Sequence, residues 1–404
     1  MKILFIVSYI PIKKSLGVQG PKNLTKQSLL YLSKTHEVDL ITLSDDNVNY
    51  SDIVGREFLN LNSYRQLFIK KKYAIFFRRL NSLVNLTPLT LGNYNSSTLQ
   101  EILRGESSNY DIVHFDYFLL AENFKSVPEN IPTVLYSHDA YSLYYYYASK
   151  YSRSFKNYLY NKIKEFIFIN MERKYYKCVD KVLTVSEIDS KVLRDHGVSN
   201  VSTLPIPIRN KYKLNDLHVK EGNCFIVLAC PYISKNDQYI TDHFLEKYLP
   251  LLLKLDIKKV ILFGKNLEKS QIAKSLISLE KVEYIGYADD YFEFLNRDIV
   301  YVYLRQVGSG LHTKLQDAMS LGLPVVGFSN LLNSLGKNTR RFCVGVETIE
   351  ELYNAITLLS TDKLERKRLG KCAYEYTCTE YDPTILGRQL DEHYKILLEN
   401  KKIV

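Results

Sequence analysis

Tryptophan is absent from this 404-residue chain, methionine occurs three times, and no two of the six cysteines have Cys-x-x-Cys spacing. Cys178, Cys224, Cys230, Cys343, Cys372 and Cys378 form no cluster with histidine, which speaks against a zinc site. They read as free thiols of a reducing cytoplasm. No apolar run approaches the roughly 20 residues needed to span a bilayer. The opening Lys2 with ILFIV is too short for a secretory signal, Lys13 and Lys14 follow it, and no small-residue cleavage site appears, so it reads as a buried first strand. Also missing is Gly-x-Gly-x-x-Gly, which argues against a nicotinamide or flavin site. There is no repeat at solenoid periods and no low-complexity tract beyond a tyrosine run.

What the chain does hold is positive charge and tyrosine: a formal net charge of +10 and 33 tyrosines, with 46% hydrophobic and 24% charged residues. That composition fits an ordinary globular protein with an anionic partner. Two stretches interleave Lys and Arg with aromatics, Tyr64–Leu83 and Tyr141–Lys177. Basic amphipathic helices of this kind suit an anionic membrane surface. The alternative is two solvated helices whose aromatics face the core. Single-stranded nucleic acid also takes aromatic and basic residues, but no aromatic RNA-binding strand signature is present, so no nucleic acid is expected.

Length favours two domains. Residues 1–205 alternate β-branched runs with amphipathic stretches, and this βαβ pattern predicts parallel strands at Lys2–Val7, Val38–Leu43, Ile112–Phe115, Thr133–Ser137, Lys181–Val185 and Ser202–Leu204. Pro, Asn and charged residues break the pattern over 206–222, which reads as the linker. A second series occupies 223–380, with strands expected at Cys224–Leu228, Lys258–Phe263, Val282–Tyr284, Ile299–Leu304 and Pro324–Phe328.

The most informative stretch is RQVGSGLHTKLQDAMSLGLPVV, Arg305 to Val326. A strand runs into a Gly-Ser-Gly turn (Gly308, Ser309, Gly310), and a short helix leaves it carrying Lys314 and Asp317. Glycine lets backbone approach a ligand closely, the first helical N–H groups have no partner within the helix, and the macrodipole is positive there. Arg305 adds a fork suited to phosphate and Lys314 a point charge. At about 4 Å and an effective dielectric near 20, each cation is worth on the order of 4 kcal/mol against one phosphate charge. Asp317, one turn beyond Lys314, suits hydroxyl donors such as those of a ribose. The plain alternative is a strand–helix turn with Arg305 and Lys314 solvated and Asp317 paired to Lys314.

GSGLHTKLQDAMSLGLPVV resembles the donor-site signature of GT-B-fold, retaining glycosyltransferases of family 4 (glycosyl transferases group 1). MKILFIVSYIP with GVQG, THEVDLITL, YDIVHFD, VLYSHDAYS and CVDKVLTVSEIDSKVL are similar to that family's N-domain strands, so the resemblance covers nearly the whole chain. It implies an α/β architecture of two Rossmann-like domains facing each other across a cleft, with a C-terminal helix, 382–400, packing back on the first. It also implies that Gly308, Ser309, Gly310, Arg305 and Lys314 hold a donor diphosphate and Asp317 its ribose. The Gly17–Gly20 loop and His138 would lie near the reacting centre, His138 bonding sugar hydroxyls. Three departures stand out. The family's Glu-x7-Glu pair is Ser309 and Asp317 here, PIPI (Pro205–Ile208) replaces its linker Asn-Gly, and its Arg and Lys after the second domain's first strand are missing. Lys235 and Asn236 are the nearest polar candidates there.

Asp45-Asp46 and Asp289-Asp290 are better read as helix caps than as metal ligands, and Glu187 follows Ser186, itself a cap candidate. No catalytic metal and no cofactor is expected beyond a nucleoside-diphosphate sugar as substrate. The reading is a cytoplasmic retaining glycosyltransferase, with a peripheral place on the inner membrane as an option, acting on a glycan, lipid-linked acceptor in bacterial surface polysaccharide assembly. The alternatives are a nucleotide-sugar epimerase on the same fold and a non-catalytic glycan- or partner-binding protein.

Overall fold

The computed structural model describes residues 1–11, 20–44, 61–69, 80–208, 224–286 and 298–402. Gly17, the acidic pairs Asp45-Asp46 and Asp289-Asp290, and most of the expected linker lie outside the described residues. The chain divides into two units, one of Met1–Tyr146, Leu159–Pro207 and Pro383–Val404, the other of Tyr147–Tyr158 and Ile208–Asp382. Residues 147–158, expected in the first half, group with the second.

The first unit holds a seven-stranded sheet: β1 (Lys2–Val7), β2 (Glu37–Leu43), β3 (Leu61–Leu67), β4 (Ile112–Asp116), β5 (Thr133–His138), β6 (Lys181–Thr184) and β7 (Val201–Thr203). Its order is β3-β2-β1-β4-β5-β6-β7, and all six pairings are parallel. The second unit holds β8 (Phe225–Ala229), β9 (Lys259–Phe263), β10 (Val282–Ile285), β11 (Ile299–Tyr303), β12 (Val325–Phe328) and β13 (Cys343–Val346) in the order β10-β9-β8-β11-β12-β13, again all parallel. Both orders reverse direction once, at β1/β4 and at β8/β11. Such a reversal opens a crevice at the carboxyl ends of the strands, where doubly wound sheets take their ligands. The expected two-Rossmann α/β architecture is what the chain forms.

One reading is corrected. Tyr64–Leu83 was expected as a basic amphipathic helix, but Tyr64–Leu67 belong to β3. In β3 only Leu61 is buried, so little apolar alternation marks it as a strand. Its polar groups are paired: Arg65 makes a two-pronged ion pair with Glu106, Tyr64 bonds Thr42 (2.9 Å), and Ser63 bonds Asp39 (2.7 Å). These contacts tie an exposed edge strand to its neighbours.

The last helix, Pro383–Lys402, lies in the first unit. His36 Nε2 and the Tyr31 hydroxyl both bond Asp391 (2.7 and 3.2 Å). Gly387 lets this helix come close to the one spanning Gly20–Thr35, since a Cβ there would lie 2.2 Å from the Tyr31 ring. Tyr394 reaches the core, where its hydroxyl meets His114 Nδ1 at 2.7 Å. His114 stacks on Phe5 (4.4 Å) and is fully buried, and that burial pulls its pKa down to about 4. A histidine whose folded pKa is depressed stays neutral while the unfolded chain takes up a proton. Stability is therefore expected to fall as pH drops from about 6.5 toward 4, by up to about 1.4 kcal/mol per pH unit from this ring. Urea titrations of wild type and His114→Gln across that range check it; the variant's acid slope should be shallower.

Candidate functional sites

In the second unit the strand β11 ends at Tyr303 and hands over to the Arg305–His312 turn, from which the helix Thr313–Ser320 starts. Gly310 has φ +66°, a left-handed conformation in which a side chain would be strained. Gly308 is required for a different reason, because a Cβ there would meet His312 Nε2 at 2.5 Å and Leu331 Cδ2 at 3.1 Å. The turn therefore keeps bare backbone at the strand end. Ser309, between the two glycines, is half-buried.

Two cations lie at that turn. Arg305 donates Nε–H to the Val307 carbonyl (2.9 Å) and lies 3.5 Å from Asp237, whose side chain is fully buried. Lys314 is half-buried, with its Nζ over the Phe263 ring at 5.2 Å. Burial, and then the Arg305 charge, hold the Lys314 pKa below the ordinary lysine value, and Asp317 partly offsets them. Ser234 and Asp237 form a capping box that opens the helix Lys235–Lys247 after β8. Asn236, in its first turn, has both amide atoms buried without a hydrogen-bond partner. A buried amide left unpaired costs about 1–3 kcal/mol. Close by sequence to this set, His312 Nε2 is likewise buried and unpaired, and burial with the Arg305 charge takes its pKa down to about 3. His312 is therefore neutral at pH 7. Arg305, Gly308, Gly310 and Lys314 thus gather at one strand end, with Asp317 near enough to act on the Lys314 charge. Asp237 and His312 were not anticipated.

In the first unit His138 ends β5 with φ +68°, and the pairing of β5 with β6 shifts register just before it. A β-strand residue held left-handed costs of order 1–3 kcal/mol, and such strain clusters at ligand sites. The neighbouring strand end is strained too: Tyr117, following Asp116, has φ +89°, and its ring lies 5.2 Å from that of His138. Asp116, fully buried at the end of β4, accepts from His138 Nε2 at 2.8 Å. Thr25 donates to its other oxygen (2.9 Å), and Tyr9 contacts both Asp116 (3.3 Å) and Thr25 (2.5 Å). Burial, then the Asp116 charge, raise the Tyr9 pKa, so Tyr9 stays a neutral donor. The contact with Asp116 engages Nε2 and leaves Nδ1 as the other ring nitrogen. Nδ1 is buried with no partner. Asp116, Tyr9 and Thr25 escaped the sequence reading; an acid directly after a buried strand, as in YDIVHFD, was the available signal. Gly20, from the glycine loop, opens the helix that carries Thr25.

Glu187 begins the helix Glu187–Asp195, with Ser186 as its cap, and is paired to Arg194. Among the described residues, no group of three His, Cys, Asp or Glu side chains is placed to hold a metal ion. No described helix is long and apolar enough to cross a membrane.

The sequence matches the profile of Glycosyltransferase Family 4 over residues 24–209 and that of Glycosyl transferases group 1 over 228–362. The chain belongs to this GT-B glycosyltransferase family. No curated protein matches the glycosyltransferase in sequence. Among solved structures, Anabaena HepE in complex with UDP superposes with a TM-score of 0.62 at 15% identity, covering 98% of this chain and 100% of that one. Sucrose-phosphate synthase from Thermosynechococcus elongatus gives 0.67 at 14% identity, covering 99% and 100%. TarM gives 0.64 at 12%, covering 97% and 98%. At these identities the likeness speaks for the fold alone.

If Asp116 sets the angle and tautomer of His138, Asp116→Asn should lower kcat about 10²-fold, the cost of roughly 1 Å of misplacement. KM for the donor should change far less. Steady-state kinetics, with circular dichroism to confirm folding, measure both.

Proposed function

We propose that this glycosyltransferase is a retaining, metal-independent enzyme that moves a sugar from a nucleoside diphosphate to a lipid-linked glycan acceptor in bacterial surface polysaccharide assembly. One observation carries the donor half of this reading. Lys314 is desolvated beside a second cation, Arg305, at a glycine-lined strand end, with the unpaired amide of Asn236 on the adjoining helix. Two cations drawn partly out of water favour a further anion beside the Asp237 and Asp317 carboxylates already near them. A diphosphate supplies that anion, and the solved structures of HepE with UDP and with UDP-glucose show a protein of this fold taking such a ligand.

On this reading Arg305, Lys314 and the amides of the Gly308–Gly310 turn stabilise the charge that develops on the departing diphosphate. Asp317 accepts from the ribose hydroxyls. Ser309 takes the place of a carboxylate and offers a hydroxyl to the donor. His138, with Nδ1 as acceptor, receives a sugar hydroxyl and orients the ring. In a same-face displacement the leaving diphosphate oxygen takes the acceptor's proton, so the protein's own contribution is positioning and charge stabilisation. The acceptor half draws support from the fold relatives, which include a lipopolysaccharide outer core galactosyltransferase, WaaB.

A nucleotide-release screen over UDP-, GDP- and TDP-sugars with lipid-linked acceptor tests the proposal. Acceptor-dependent release with retained anomeric configuration supports it. A rearranged sugar nucleotide formed without acceptor would instead mark an epimerase, and absence of UDP or GDP affinity by titration calorimetry would mark a non-catalytic binder.

A further inference from the structure

The helix Phe155–Tyr175 is apolar on two opposite faces. Phe168, Met171 and Tyr175 point inward and are buried. Leu159, Ile163 and Phe166 follow one another at i, i+4 and i+7, so they share a face about half a turn of helix away. That second face is open: Leu159 is 48%, Ile163 51% and Phe166 57% exposed. A surface helix ordinarily covers its outward face with polar side chains.

A second apolar group adjoins it. Leu83, Val84 and Leu86 are 56%, 78% and 52% exposed, and Leu86 is held left-handed with φ +49°. This segment is fastened to the same helix. Asn170 donates to the Asn85 and Leu86 carbonyls (2.9 and 3.0 Å), and Lys174 Nζ donates to the Asn85 side chain (2.6 Å). The bonds hold a strained turn with its apolar side chains outward, beside the C-terminal part of the exposed face. Residues 80–89 contain no charged side chain. On the helix, Lys156 and Lys162 border the stripe, three residues before and after Leu159, and Glu165, only 15% exposed, is paired to Lys162 (2.9 Å). Tyr160, 56% exposed, carries the Lys164 ammonium near its ring.

We propose that this surface docks on an anionic lipid bilayer, with the side chains at 83, 84, 86, 159, 163 and 166 entering the headgroup–acyl boundary. Lysines then lie at the phosphates and Tyr160 lies at the interface, where amphipathic rings settle. Interfacial helices combine buried apolar area with electrostatic attraction to anionic lipid, about 1 kcal/mol per cation near the surface. Charge selects this occupant over a second copy of the chain. Two surfaces of a protein carrying +10 repel each other, whereas an anionic leaflet attracts them. The inference rests on the lipid-linked acceptor reading for its purpose, but its physical basis is independent of the donor site.

Flotation of the full chain with phosphatidylcholine vesicles, with and without phosphatidylglycerol, tests it. Wild type should float with the anionic vesicles at low salt and about tenfold less with neutral ones or at high salt. Ile163→Glu/Phe166→Glu and, separately, Leu83→Glu/Val84→Glu should each lower the bound fraction about tenfold or more. Both variants should keep the wild-type melting temperature, UDP affinity and transfer to a soluble acceptor. Failure of the wild type to float with anionic vesicles overturns the docking surface. So does flotation of both folded variants at the wild-type level, or a discrete dimer in light scattering that both variants abolish. Flotation without any UDP affinity would leave the surface standing and sink the transferase proposal instead.

Discussion

Lys314→Ala is expected to reduce kcat/KM for the donor by about 10²–10³-fold, a loss of about 3–4 kcal/mol of transition-state stabilisation. In the proposed reaction Lys314 would face the charge gathering on the departing diphosphate, and its partial burial weakens screening by water. The same desolvation gives the substitution an opposite effect on the ligand-free protein. A lysine whose folded pKa is depressed makes the folded state less favourable while it is charged, and that penalty fades as pH rises from the folded value toward the unfolded one, near 10.4. Lys314→Met should therefore raise the melting temperature at pH 7 by a few degrees, on the order of 1 kcal/mol, and lose the alkaline gain in stability shown by wild type. Steady-state kinetics with differential scanning calorimetry separate the two effects. A variant that loses stability while turnover is unchanged would remove Lys314 from the donor site.

Arg366→Ala should cost about 3–5 kcal/mol of stability, enough to lower the melting temperature of the second unit by about 10 °C. Arg366 is 4% exposed and Asp298, its partner, 7%. The pair is two-pronged, Nε to Oδ1 at 3.0 Å and Nη2 to Oδ2 at 2.6 Å. Nη1 also donates to the Leu359 and Ser360 carbonyls (2.6 and 3.0 Å), at the end of the helix Ile349–Thr361. Although burial opposes the charge, the bonds that Arg366 donates to Asp298 leave its pKa above the ordinary value. Removing the guanidinium strands a buried carboxylate just ahead of β11, together with two carbonyls. Adding Asp298→Asn should recover part of the loss, because a neutral amide is cheaper to bury than an unpaired charge. Guanidinium denaturation of single and double variants measures both steps. Arg366 lies far from any motif in the sequence, yet it fixes the strand that delivers Arg305.

The sheets were legible because their central strands are continuous runs such as ILFIV and IVYVY, which only a sheet covered on both faces buries. Their edges were not. β13 is four residues long with Gly345 in it, and β3 carries Tyr64, Arg65 and Gln66, so neither shows the apolar pattern of its neighbours. The glycine turn with its lysine could be read from spacing, since Gly308, Gly310 and Lys314 follow one another in the chain. The surroundings of His138 could not, because Tyr9, Thr25 and Asp116 come from three distant segments that only the parallel register of β1, β4 and β5 brings together. Basic and aromatic residues marked Tyr141–Lys177 as a candidate membrane surface, but which face of Phe155–Tyr175 lies outward was hidden. A helix apolar on both sides has no periodic contrast, and its aromatics read equally well as core.

The placement of Tyr394 against His114 sets an order of events during synthesis. The amino-terminal sheet lacks one wall of its interior until the final helix has cleared the ribosome, whereas residues 224–382 can finish their sheet beforehand. The half translated first thus matures last, and a nascent chain stalled before residue 383 should present an uncovered apolar surface to chaperones.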